Sequence, residues 1–182
     1  SHATSLSGRP QKKKRAMEKI VVSMTTWPPR WKGAVKAMRE IARQKSQLRR
    51  DDVDVHLVLV LASIEWTDVE HYDAVCSRPS VVPLLNEMAD LGVEVIWDIG
   101  NTKPHKKLMP TLKQYGDAAI IVVDDDIREA EGWLETMIED HMQHPDDIIY
   151  GQSIGRVTFD ACGSIIEERV EGWPLSKPGE VS

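Results

Sequence analysis

Residues 118–128 read Ala-Ala-Ile-Ile-Val-Val-Asp-Asp-Asp-Ile-Arg. The apolar run from Ala118 to Val123 is too short for a typical helix and is rich in β-branched residues, so it predicts a strand. Because the run is continuous rather than alternating, it predicts burial on both faces, as in a parallel sheet. It stops at three carboxylates, Asp124, Asp125 and Asp126. In open α/β sheets, ligands bind just beyond the carboxyl ends of the strands. Three adjacent acids repel one another, and a hard cation such as Mg²⁺ or Mn²⁺ is their natural partner, because these ions favour carboxylate oxygens and keep positions open for phosphate. Alternation along an extended chain would send Asp124 and Asp126 to one side and Asp125 to the other. The alternative is a solvated acidic turn, and the apolar strand in front of the acids weighs against it.

Working outward, Ile20 to Met24 is a second continuous apolar run and predicts the first strand. Thr25-Thr26-Trp27-Pro28-Pro29-Arg30 follows as a loop, stiffened by its prolines. Val35, Met38, Ile41 and Ala42 recur at helical spacing within Trp31 to Gln47. Val53 to Leu61 predicts the next strand; His56, inside it, reads as a packed residue rather than a ligand. Loop and short helix are expected over 62–80, then a helix from Pro83 to Leu91 that stops at Gly92. Val93 to Trp97 is a strand, and residues 98–108 form a loop dense in cations. The helix carrying Leu108, Leu112 and Tyr115 is interrupted or restarted near Pro110. Beyond the acids, Glu131 to Gln143 is amphipathic, and Ile148 to Tyr150 is a short strand. Val157–Phe159 and Ser164–Ile166 suggest a hairpin across Ala161-Cys162-Gly163. Strands alternating with helices imply an α/β fold, with a mainly parallel sheet covered by helices on both faces.

The chain has 182 residues, enough for one domain with a real core. A net charge of −6 argues against nucleic-acid binding by charge. Cys76 and Cys162 stand far apart, with no metal-type spacing, which suits a reducing compartment. No stretch is long and apolar enough to span a membrane. The expectation is a soluble cytoplasmic protein, with a peripheral position on the inner face of the membrane as the alternative. Residues 1–16 read as a tail or tag, with Ser1-His2 as a remnant and Met17 as a start; residues 17–182 read as a single domain. Trp27, Trp31 and Trp66 flank the expected loops, where an indole can stack on a ligand or lie half-buried at the surface.

Parallel strands would bring three loops to one sheet edge: Thr25, Thr26 and Arg30; Thr102, Lys106 and Lys107; and the acids. Cations facing acids in this way suit a metal-bound diphosphate, with the metal bridging carboxylate and phosphate while Lys or Arg neutralises the remaining charge. The structural alternative is a set of surface ion pairs, each contributing about 0–1 kcal/mol.

Three segments, in order and spacing, resemble bacterial glycosyltransferases of the GT-A fold, the small group used in surface-polysaccharide assembly. Residues 20–31 (IVVSMTTWPPRW) are similar to that group's first strand and Thr-Thr-x-Pro-x-Arg loop. Residues 102–112 (TKPHKKLMPTL) resemble its Thr-Gly-Pro-x-Thr-Lys-Leu-x-Pro-x-Leu segment, and residues 119–127 (AIIVVDDDI) its strand ending in Asp-Asp-Asp. Lys103 stands where the family carries Gly, and Lys106 where it carries Thr; Lys107 matches the family's phosphate-side Lys. The chain ends soon after Trp173-Pro174, where family members continue with an acceptor-binding half, so a short or truncated C-terminal part is expected.

The resemblance implies a metal-dependent glycosyltransferase of Rossmann-like GT-A fold, using Mn²⁺ or Mg²⁺ and taking a nucleotide-sugar donor and a saccharide acceptor. Family likeness favours a uridine diphosphate sugar. Thr25, Thr26 and Arg30 would border the nucleotide, with Thr102 and Asp125 also on the donor, and Lys107 would contact the diphosphate. Asp124 would lie near the ribose or sugar and share the metal, whose principal ligand would be Asp126. Asp160, Glu167, Glu168 and Glu171 are available as a base, and nothing selects among them. Two other readings are a nucleotidyltransferase, which would be expected to carry a Gly-rich loop after the first strand, and a non-catalytic GT-A-like binding or assembly module without an acceptor half. Residues 1–16 contain almost no apolar residues, so deleting them is expected to leave the melting temperature nearly unchanged; a loss of several degrees would show that they belong to the core.

Overall fold

The computed structural model describes residues 16–69, 79–100, 103–126, 129–146, 148–150, 153–159 and 165–169. Its main sheet has four parallel strands, β1 (Glu18–Thr25), β2 (Val53–Ala62), β3 (Glu94–Asp98) and β4 (Ala119–Val123), in the order β3-β2-β1-β4. The intervening helices are α1 (Trp31–Gln47), α2 (Val82–Asp90) and α3 (Met109–Gln114); α4 (Trp133–Gln143) follows the sheet. This is the α/β class expected from the sequence, in a Rossmann-like arrangement with helices on both faces. A second sheet is antiparallel, with β5 (Ile148–Tyr150), β6 (Ser153–Phe159) and β7 (Ile165–Arg169) in that order. β6 and β7 pair as the expected hairpin, Phe159 opposite Ile165; its turn, 161–163, lies outside the described residues. Among the described residues no helix is long and apolar enough to cross a membrane.

The two faces of the main sheet are unequal. Ile20, Val22 and Met24 of β1, with Val55, Leu57, Leu59 and Leu61 of β2, point into the large core, which α1, α2 and α4 cover through Met38, Ile41, Leu84, Met88, Leu134 and Ile138. Val21, Val58 and Val60 point to the opposite face and meet Tyr115, just past α3, in a small cluster. That face is covered mainly by residues 103–114. The strand expected to be buried on both faces, β4, lies at the sheet edge: only Val123 is fully buried, and Val122 is exposed. A continuous apolar run reports hydrophobicity on both sides of a strand but not its rank in the sheet; β1 and β2, with neighbours on both sides, hold the central places. Trp66 is wholly buried in the large core and is no ligand platform, while Trp31 packs half-buried against that core.

α4 starts at Gly132, which adopts a left-handed conformation (φ 75°) and offers no side chain to cap the helix. Gln44 of α1 supplies the cap from across the core: its Oε1 accepts from the Leu134 N–H at 2.9 Å and its Nε2 donates to the Ala130 carbonyl at 2.9 Å. Gln44 is buried, and the Leu134 N–H depends on it for hydrogen bonding, whereas the Ala130 carbonyl also accepts from the Trp133 N–H at 3.0 Å. Gln44→Leu leaves the Leu134 N–H unpaired and is expected to cost about 1–3 kcal/mol, read as a lower denaturation midpoint with an unchanged m-value. An unchanged midpoint would mean that water replaces the cap.

Candidate functional site

The strand order reverses direction between β1 and β4: β2 and β3 lie on one side of β1, and β4 returns to the other. Such a switch point leaves a crevice beyond the carboxyl ends of the strands. Parallel pairing puts Met24 opposite Val123, so Thr25–Arg30 and Asp124–Asp126 leave the sheet side by side. A cleft of about 250 Å³ opens there. Its lining carries four cations, Arg30, Lys103, Lys106 and Lys107, against three carboxylates, Glu65, Asp124 and Asp125. By count the lining carries one more cation than carboxylate, a balance that suits an anion.

The acids divide by environment. β4 ends at Val123 and residues 125–126 turn, so strand alternation does not reach them and the expected geometry changes. Asp125 turns inward and is buried; its carboxylate accepts from Thr26 Oγ1 at 2.7 Å and meets Arg30 Nη2 at 2.5 Å. The same Arg30 nitrogen is 2.6 Å from the exposed Asp126. Asp124 pairs instead with Lys107, Nζ to Oδ1 at 2.5 Å. The expectation that Asp124 and Asp126 form a pair set apart from Asp125 is therefore corrected: Asp126 shares a guanidinium with Asp125. Gly33 also lets the acid turn lie close to α1: a Cβ there would stand 3.2 Å from the Asp125 carbonyl oxygen, a tight contact that a shift of a few tenths of an ångström would have to relieve.

Thr25 lines the cleft, but its hydroxyl is engaged in the sheet, donating to the Val60 carbonyl at 2.8 Å. Thr26 is buried beneath Asp125. Trp27 is exposed on the cleft wall, available for stacking. Lys107 reaches the cleft on the short turn Lys103–Lys107. Thr102, Asp160 and Glu171 lie outside the described residues, and Glu167 and Glu168 fall on β7. His56 is half-exposed and contacts Asp54 at 2.9 Å, away from the cleft.

Sequence reasoning missed two acids. Glu65, in the short turn after β2, holds the nearly buried Lys106 with both oxygens, at 3.0 and 3.1 Å. The rule that singled out the other loops applies to Glu65 as well, since it too follows the carboxyl end of a strand. Glu129 is half-buried; burial first, and the charge of Asp124 second, push its carboxyl above the usual range. No local pattern marks it. Lys103, at the position where the resembled segment carries glycine, has φ 53°. A side chain in that left-handed region costs about 1–2 kcal/mol, which accounts physically for a glycine preference there.

Among the described residues no group of three or more His, Cys, Asp or Glu is arranged to hold an ion. Mg²⁺ and Mn²⁺ commonly take only one or two carboxylates together with phosphate oxygens. Asp126 and Asp124 have 62% and 50% of their side chains exposed, the first held by Arg30 and the second by Lys107, and Asp126 stands outside the lining of the cleft. No protein-family model matches the chain, and neither does any curated protein.

The acid cluster should separate into one residue that supports the fold and one that does not. Asp125→Ala strips a buried carboxylate from Thr26 and Arg30 and is expected to destabilise by at least about 1.5–3 kcal/mol, the range for a bond to a charged group. Asp126→Ala removes an exposed ion pair, for about 0–1 kcal/mol. Urea denaturation of both variants checks this, and equal losses would contradict the division.

Proposed function

We propose that the chain is a metal-dependent glycosyltransferase that takes its sugar from a nucleoside diphosphate donor, with a uridine diphosphate sugar as the favoured donor and a saccharide or other hydroxyl acceptor. One observation carries the reading: Arg30 and Lys107 meet the carboxylates Asp124, Asp125 and Asp126 at the switch point of a parallel sheet. Helping the diphosphate leave is the central task in such a transfer, because negative charge grows on it as the sugar departs. Lys107 and Arg30 are held beside the acids and carry charge suited to the phosphate oxygens. Asp126, with Asp124, would hold the Mn²⁺ or Mg²⁺, which when bound supplies Lewis-acid stabilisation of the departing diphosphate. Asp125 and Thr26 orient Arg30 from below, and Trp27 offers an apolar face to the base. The resemblance of residues 20–31, 102–112 and 119–127 to GT-A glycosyltransferases points the same way.

Calorimetric titration with uridine diphosphate tests the reading, in Mn²⁺ and in chelator. Binding is expected in Mn²⁺ and lost in chelator. Asp126→Asn is expected to weaken metal-dependent binding by more than about tenfold, the lower bound for disturbing even an outer partner of a metal site. Uridine diphosphate at 100 times its dissociation constant is expected to stabilise the fold by about 2.7 kcal/mol, and guanosine diphosphate by less. Equal binding in chelator, or wild-type behaviour of Asp126→Asn, would remove the physical basis of the proposal. Slow hydrolysis of the donor would separate a transferase from a module that only binds.

A further inference from the structure

β1 carries one hydroxyl within its apolar run, Ser23, and its side chain is wholly buried. Strand alternation puts Ser23 on the same face as Val21, which joins the small cluster, and Thr25, which lines the cleft. That face is covered by residues 103–114, the segment that delivers Lys107. Ser23 Oγ is 2.6 Å from the Lys107 carbonyl oxygen and 2.8 Å from Thr111 Oγ1. A carbonyl only accepts, so the single Ser23 proton goes to Lys107, and the Thr111 hydroxyl must donate to Ser23. The Leu112 N–H bonds to the Leu108 carbonyl. The Lys107 carbonyl therefore lies one residue outside the α3 ladder, where its direction is set by Ser23. From that anchored backbone the Lys107 side chain extends to Asp124, Nζ to Oδ1 at 2.5 Å.

We propose that Ser23, backed by Thr111, is a positioning residue for diphosphate binding. It fixes the backbone of Lys107 against the central strand, so that the ammonium stands at the switch point before a ligand arrives. Lysine is a flexible point charge, and its alignment costs side-chain entropy on binding unless the backbone that carries it is already fixed. The proposal rests on the diphosphate reading of the cleft and assigns it a residue that touches no ligand.

A double-mutant cycle measured by calorimetry with uridine diphosphate in Mn²⁺ tests it, alongside phosphate-free uridine. Lys107→Ala is expected to weaken uridine diphosphate by about 10- to 150-fold, the loss of one charge-assisted bond. Ser23→Ala is expected to weaken it by on the order of tenfold and to leave uridine unchanged. In the Lys107→Ala background Ser23→Ala should have no further effect, because its influence passes through that lysine. Thr111→Val, which keeps the Ser23-to-carbonyl bond, is a second variant expected to lose less than Ser23→Ala. A loss of uridine diphosphate affinity that is equal in both backgrounds, or no loss at all, overturns the positioning role and leaves the glycosyltransferase reading standing. Failure of the unsubstituted protein to bind uridine diphosphate overturns that reading, and the positioning role with it.

Discussion

The parallel pairing of β1 with β4, Met24 opposite Val123, is the constraint on which the rest of the site depends. Parallel strands end on the same side of a sheet, so two loops far apart in sequence emerge together. An antiparallel arrangement would have left Thr25–Arg30 and Asp124–Asp126 at opposite edges. The pairing also requires the chain to cross back over β2 and β1 after β3. Residues 103–114 make that crossing, which is why the cationic segment covers the face that ends at the cleft.

Charges buried at this edge need partners where they stand, since an unpaired buried ion costs several kcal/mol. Asp125 has Thr26 and Arg30, and Lys106 has both oxygens of Glu65. These pairs fix the cleft walls through the buried Asp125 and Lys106, while Asp124 and Asp126 keep half or more of their side chains exposed. Groups of the second kind can exchange partners with a ligand at little cost, because exposed ion pairs hold only weakly. The mix of fixed and exchangeable charge gives the cleft a set shape together with adaptable chemistry.

The same division runs along β1 itself. Its even-numbered residues, Ile20 to Met24, anchor the large core, and the series ends at Thr26 beneath Asp125. From Val21 onward its odd-numbered residues become more polar toward the carboxyl end: Val21 packs, Ser23 tethers Lys107, and Thr25 bonds to β2 at the cleft wall. One strand thus contributes to the core on one face and to the site on the other, through the two-residue period of extended chain.

The sequence by itself determined the elements and their type. The apolar runs at 20–24, 53–61 and 118–123 are strands, the periodic stretch 31–47 is a helix, and their alternation requires a parallel sheet. That charged loops would gather at one sheet edge was also legible, because the carboxyl-end rule needs only the order of strands and loops. Tertiary structure alone decided the rest. It placed β4 at the edge, since hydrophobicity does not encode rank in a sheet. It turned Asp125 inward and put Asp126 on its guanidinium, because the strand period lapses where the chain turns. Gln44 as the cap of α4, and Ser23 as the anchor of Lys107, are contacts between residues more than 80 positions apart. Partnerships at that distance leave no local pattern, because only the packing of whole elements brings the two groups within a hydrogen bond of each other.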